Sequence, residues 1–458
     1  MTDSATESPR PAGGKLLRVL GVGFGLAVIV GNTIGAGILR APGDVAKQLP
    51  HPLLFLGVWV AGGAYALLGA NAVAELGTMI PRSGGQYVFA RRALGDYAGF
   101  LVGWSDWLST CGTTAAVSVV VGDYCGALFP ALDGRGAAVA VGAAVLFALI
   151  QWRGIRWGGS AQNLTSLLKC VAFAALVIAC FALGGGGARP AADEAARLPH
   201  GLALALAVVL ALQAVIYTYD GWAGVVYFSE EVRDPARAVP RSLFGGVLLV
   251  LAIYLLVNVA LLRVLPVGRV AGSDLAVGAA AQAVLGARGD RVLRALTVVS
   301  MLSGLNAYHL MATRVLFAMS RDGLFSARAA RVNAGGTPTV ALFVSCAVAV
   351  LFILSGGTFA RIIAGLSFFF VANYAMTFAS LFVLRRREPR AARPFRAWGY
   401  PWTTALALIG SVAFLIGAVV VDLKYATHDS LYALLLLAAS YPAFRLAGLI
   451  ERRRPAFE

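Results

Sequence analysis

The chain has 458 residues, of which 59% are apolar and only 13% charged, and it carries a formal net charge of +16. A soluble domain is about half apolar and about a quarter charged, so a water-soluble fold would leave far too much apolar surface uncovered, and a lipid bilayer is the solvent this composition fits. In a soluble protein such a charge would suggest a nucleic-acid partner, but here the Lys and Arg sit in short clusters between long apolar runs and form no basic stripe, which argues against a nucleic-acid footprint.

About 20 apolar residues cross a bilayer as a helix. Twelve segments qualify, at about 17–47, 52–80, 96–128, 137–152, 163–185, 202–229, 243–265, 291–319, 338–355, 359–384, 401–421 and 430–447. They make residues 17–447 one transmembrane domain between polar tails at 1–16 and 448–458. The N-terminal stretch MTDSATESPRPAGGK carries acids and lacks the basic and apolar regions of a signal peptide. With the N-terminus inside, 24 of the 38 Lys and Arg fall on inside segments, 10 on outside loops and four within spans. That asymmetry predicts a multi-pass protein of the inner cell membrane with both termini cytoplasmic. The longest outside connections, 185–201 and 266–290, are rich in Gly and Ala, and no soluble domain is attached. The five cysteines lie in or at the edges of apolar runs without zinc-ligand or CxxC spacing, so they read as structural thiols; neither a metal nor a cofactor is expected.

The first span, Leu17 to Lys47, would be about 45 Å long as a straight helix at ~1.5 Å per residue, well beyond ~30 Å of hydrocarbon. In its middle lies GNTIGAG, Gly31 to Gly37. Three glycines weaken the helix there, each costing up to about 1 kcal/mol relative to Ala. The sixth span carries a second interruption, Tyr217-Thr218-Tyr219-Asp220-Gly221-Trp222-Ala223-Gly224. An Asp near mid-membrane costs about 3 kcal/mol on insertion, so Asp220 should face protein or water. Each set of five spans, 17–185 and 202–384, thus begins with a broken helix, and an odd number of spans per set gives the two opposite orientations. This is the pattern of an inverted-repeat transporter that holds its substrate between unwound helices at the midplane. The alternative is that Gly31, Gly35 and Gly37 only permit close helix packing. At a true break, free amides would attract a carboxylate and free carbonyls an ammonium group, both of which an α-amino acid carries.

Four stretches then resemble the amino acid–polyamine–organocation transporter family, on its bacterial branch near the L-amino acid transporters. They are GNTIGAGI in the first span, AELGTMIPRSGGQYVFARRALG from Ala74 to Gly95, YDGWAGVVYFSEEVRDPARAVPRSL from Tyr219 to Leu243, and SGLNAYHLMATRVLFAMSRDGLF from Ser303 to Phe325. The resemblance implies an all-helical fold of five plus five inverted spans with broken helices one and six, followed by two extra helices at 401–447. It implies sodium-independent transport of L-amino acids by alternating access, with proton coupling or amino acid exchange. By the same likeness, the Ala36 and Gly37 amides beside Gly35 hold the substrate carboxylate. Carbonyls of Thr33, Tyr217 and Asp220 receive the amine, and the Tyr217 ring covers the substrate. Position 220 is often Gly in relatives, so Asp220 either contacts the amine or favours a cationic substrate, which keeps an amine or cationic amino acid antiporter as the second reading. Trp222 either lines the pocket or wedges the broken helix. Some sodium-independent members place a lysine where Lys169 stands, its ammonium filling a sodium position; proton coupling or support of the first break is its implied role. The alternative is that Lys169, six residues into the predicted fifth span, reaches back to the interface.

Other polar residues within spans have plainer readings. Glu75, Asp106 and Asp123 read as packing or anchoring groups, and His309 as a hydrogen-bonded packing residue, with a proton carrier as the alternative. Glu230 and Glu231, beside Arg233 and Arg237 in a predicted cytoplasmic loop, read as a solvated gate or anchor cluster. The loop FPALDGRG after the third span has no cysteine, so no heavy-chain partner is expected. Enzyme signatures such as HExxH, GxSxG or a P-loop are absent from the sequence. A channel would call for a repeated filter or charged rings, and a sensor for a signalling domain.

Overall fold

The computed structural model describes residues 15–184, 198–271, 273–355, 359–425, 434–435 and 437–445. The predicted tails apart from Lys15 and Leu16, most of the 185–201 connection and part of the 430–447 span lie outside the described residues.

Among the described residues fifteen α-helices follow one another up to Tyr425. The first five spans are the pair α1 (Val22–Thr33) and α2 (Ala36–Gln48), then α3 (Pro52–Met79), α5 (Asp96–Leu128), α6 (Gly136–Trp152) and α7 (Ile155–Leu183); the short α4 (Gln86–Leu94) joins α3 to α5. The second five are α8 (Leu202–Thr218) with its continuation to Phe228, then α9 (Pro235–Val264), α12 (Gly289–Arg321), α13 (Thr339–Leu354) and α14 (Phe359–Arg387). Two small helices, α10 (Val267–Ala271) and α11 (Ala276–Leu285), lie between α9 and α12. The eleventh span is α15 (Trp402–Tyr425), and residues 437–445 form the described part of the twelfth. Among the described residues there is no β-strand, only two isolated bridges. The expected fold class, a twelve-span helical bundle in two five-span sets plus two helices, is the one observed.

The solvent each face meets explains why the helices sit as they do. On α7 the buried positions Gln162, Ser166, Lys169, Phe173, Leu176 and Cys180 recur every three or four residues, one helical face. The opposite face exposes Leu164, Leu167, Leu168, Val171 and Ile178. Polar groups point inward and apolar ones outward, the arrangement lipid imposes on a helix with a functional interior. Two helices start earlier than the hydropathy suggested. The fifth span begins at Ile155, not 163, because its first turns (IRWGGSAQ) are polar but helical. The seventh begins at Pro235, not 243, with proline at the position where a missing N–H costs nothing. The 266–290 connection is also more ordered than its composition implied. Its helices lie against α2, so close that a Cβ on Gly43 would stand 2.2 Å from Ser273 O.

The longest spans, α5 and α12, have 33 residues each and pack on one another through the centre. Around them the two interrupted spans meet at mid-bundle.

Candidate functional site

At Gly31-Asn32-Thr33-Ile34-Gly35 the first span stops and restarts with its axis bent by 50°. A break frees the last carbonyls of one half-helix and the first amides of the next, and inside a membrane each must find a partner. The carbonyls can be accounted for one by one. Val30 O accepts from Ile34 N at 3.1 Å. Gly31 O accepts from Lys169 Nζ at 2.8 Å, Asn32 O from the Tyr308 hydroxyl at 3.2 Å, and Thr33 O from the Tyr254 hydroxyl at 2.6 Å. Ile34 O accepts from Lys169 Nζ at 2.6 Å and from Ser300 Oγ at 3.0 Å. The restarting α2 has Gly35 at its cap position with no side chain to satisfy the first amides. Ala36 and Gly37, which carry the first of those amides, line a cavity.

The second break follows Thr218. A turn through Tyr219–Ala223, with Gly221 at φ +103°, leads into a 3-10 helix at Gly224–Phe228. The two breaks lie back to back. A Cβ on Gly221 would stand 2.6 Å from Asn32 Cβ, and one on Gly37 would stand 3.0 Å from Thr218 Cγ2. The Tyr254 hydroxyl bridges them, sharing its proton between Thr33 O at 2.6 Å and Thr218 O at 2.9 Å.

The cavity at this junction has a volume of about 410 Å³, in the ~300–1,000 Å³ range of small-molecule sites. Of the sequence-predicted residues it brings together Thr33, Gly35, Ala36, Gly37, Tyr217 and Asp220. Trp222 is not on its wall; the indole is buried, stacks on Tyr374 at 5.0 Å, and lines a separate void of about 10 Å³. Lys169 is not on the wall either. It lies midway along α7, fully buried behind the first break, and its ammonium points inward to the carbonyls above. The early start of α7 is why the estimate of six residues from the membrane face was too shallow. Asn32, Thr113, Ser300, Tyr308 and Phe370 also line the cavity and escaped sequence reasoning. A lone Tyr or Ser in an apolar run carries no signal that separates a site residue from a packing one.

The cavity runs from the breaks along α2 past Arg40 to Asp44, whose side chain is exposed. Towards the other face, which carries residues 15–21, the bundle is clamped. Asp322 pairs with Arg82 at 2.7 Å and Arg91 at 2.9 Å, and Glu230 pairs with Arg321 at 2.7 Å. Leu20 N donates to Glu231 O and Arg233 N to Leu20 O, both at 3.0 Å. Glu231 makes two 3.0 Å bonds to Arg314, both side chains having no exposure. The expected gate or anchor cluster is corrected in two respects: its partners are arginines of α12, not Arg233 or Arg237, and Glu231 is wholly buried, while Glu230 stays 29% exposed; both acids do anchor the clamp. Glu75 is an anchor as expected, paired with Arg385 and with Arg393 at 3.0 Å. His309 is buried against the backbone of Ala144. Among the described residues no group of three His, Cys, Asp or Glu is placed to hold a metal ion.

The membrane bundle thus has two interrupted helices and a substrate-sized cavity where they meet, open at one end and clamped at the other. Residues 24–440 match the family model described as amino acid permease, and the chain belongs to that family. It is 29% identical to the serine/threonine exchanger SteT of Bacillus subtilis (strain 168) over 416 residues, 89% of this chain and 92% of that one. It is 29% identical to the Asc-type amino acid transporter 1 of Mus musculus over 392 residues, 83% and 73% of the two chains. With the human b(0,+)-type amino acid transporter 1 it shares 28% over 412 residues, 86% and 81%. The chain is thus an amino acid transporter and not an enzyme.

Proposed function

We propose that the chain carries small and mid-sized neutral L-amino acids across the inner cell membrane without sodium, by exchange or with a proton. The observation that carries this reading is the Lys169 ammonium at 2.8 Å from Gly31 O and 2.6 Å from Ile34 O. A fixed cation there supplies the positive charge that a bound metal ion would bring to the freed carbonyls, so the first break holds its shape without one. Substrate capture then needs only backbone. The carboxylate sits at the uncapped amides of Ala36 and Gly37, where the α2 dipole favours negative charge. The ammonium group sits against carbonyls of Tyr217 and Asp220 and the second lone pair of Thr33 O, with the Tyr217 ring closing over it. With both termini cytoplasmic, the cavity mouth at Asp44 faces outside and the clamp at Asp322 faces the cytoplasm, an outward-facing state. The relatives named above are exchangers or transporters of amino acids, which agrees with this assignment. No accessory heavy chain is required, as the loop after the third span has no cysteine to bind one.

The test is uptake of a labelled neutral amino acid by proteoliposomes in choline buffer. Full activity without sodium is expected; strict dependence on sodium would overturn the reading. A second reading rests on the Asp220 carboxylate at the cavity wall, which favours cationic amino acids or amines. Competition by arginine, lysine and putrescine against serine, threonine and alanine decides between them.

A further inference from the structure

Behind the wall of the substrate cavity lies a second one, of about 20 Å³, enclosed by α4, α5, the second break, α12 and α14. The two share Asp220, Tyr308 and Phe370, and the smaller one extends to Asp106, Gln86 and Tyr227. Its size suits one water, which needs ~10–15 Å³ and two to four polar partners. Asp106 is 3% exposed, and the Tyr227 hydroxyl stands 2.9 Å from each of its carboxylate oxygens. Asp220 Oδ1 accepts from the Tyr374 hydroxyl at 2.6 Å.

The charges around this small cavity do not balance. The titratable groups facing it are Asp106 from α5, Asp220 and Tyr227 from the second break, Tyr308 from α12 and Tyr374 from α14, while α4 contributes the neutral Gln86. Tyr217 lies on the substrate side of Asp220. No basic residue is in the lining. The nearby buried cations are engaged elsewhere, Lys169 on the first break and Arg314 on Glu231. Among the described residues the fully buried acids Glu75 and Glu231 each hold an arginine, whereas Asp106 holds none and Asp220 is half-buried at the substrate cavity. Two carboxylates that face one small cavity without a counter-ion are costlier both charged than with one proton between them.

We propose that Asp106 and Asp220 hold a single proton between them through a water in this cavity, and that this proton travels with the substrate. This rests on the amino acid reading above. Asp220 takes up the proton from the substrate cavity. When the substrate ammonium binds beside Asp220 it favours the charged carboxylate. The Asp220 O–H bond then breaks towards the water as the water gives one of its own protons to Asp106. The pair carries one negative charge before and after, and no other reactant is needed. Asp106 is held by Tyr227, whose backbone O accepts from Gly84 N at 3.2 Å within the clamped face. Opening the clamp would expose the protonated Asp106 on the side where the substrate leaves.

The experiment uses the full chain in proteoliposomes containing a pH-sensitive dye, with no ion gradient, and a neutral amino acid that shows counterflow. Substrate addition to the wild type should acidify the interior. In Asp106→Asn substrate-driven proton entry should fall at least tenfold while counterflow of the labelled amino acid persists, and Asp220→Asn should lose proton entry as well. If Asp106→Asn shows no counterflow, Asp106→Glu should restore both readouts; failure to restore proton entry overturns the proposal. Wild-type counterflow without proton entry, or undiminished proton entry in Asp106→Asn, also overturns it and leaves the amino acid reading standing. No counterflow with any of the twenty amino acids would remove both.

Discussion

At residue scale, glycines let the two broken helices touch. Gly221 combines φ +103° with a would-be Cβ only 2.6 Å from Asn32 Cβ, so both conformation and contact exclude a side chain. Gly35 differs, since its would-be Cβ meets nothing nearer than Met301 Cε at 3.8 Å. Gly221→Ala should therefore lower the thermal unfolding temperature and abolish uptake, whereas Gly35→Ala should leave the unfolding temperature nearly unchanged. Lys169→Ala removes the donor to Gly31 O and leaves a buried carbonyl unpaired, at a cost of about 1–3 kcal/mol. Thermal unfolding should report that loss, and uptake should fall at least tenfold. Tyr217→Ala should weaken half-saturating substrate concentration about tenfold, roughly 1.4 kcal/mol; unchanged kinetics would remove the ring from the site.

At the scale of elements, function depends on which end of the bundle is clamped. The segment 224–233 is held to α12 by Glu230 and Glu231, and α4 and its approach are held to α12 by Asp322. Removing the Asp322 carboxylate breaks its contacts with Arg82, Tyr87 and Arg91, leaving Arg91 only Asp96, and should bias the molecule towards opening on that face. Asp322→Ala should accordingly raise labelling of a cysteine placed at Thr110, near the second cavity, by a membrane-impermeant reagent applied from the clamped side. Equal labelling with and without Asp322 would show that the clamp does not set the state. Glu231→Ala should be severe in another way, since it strands the wholly buried Arg314, typically about 3–5 kcal/mol. These contacts were hard to read from sequence for a definite reason. Glu230 and Glu231 are adjacent to Arg233 and Arg237 in the chain, yet their partners lie some eighty residues on, in α12. The start of α7 was hidden similarly, because a helix turned inward at a polar site need not look apolar.

For the whole molecule, composition alone specified the solvent, and the two glycine-rich interruptions specified where the spans would yield. The groups that complete the breaks were not legible. Tyr254, Tyr308 and Ser300 come from α9 and α12 and look like packing residues until the carbonyls they serve are known. The charges followed the same rule: their clustering predicts an orientation, while their pairing needed the fold. A sodium-free amino acid carrier that works by alternating access shows counterflow. Proteoliposomes preloaded with an unlabelled neutral L-amino acid, in choline buffer, should accumulate the labelled form rapidly, saturably and with preference over the D-isomer. Non-saturating entry, indifference to preloading together with loss of uptake when sodium is absent, or no entry of any amino acid would contradict it.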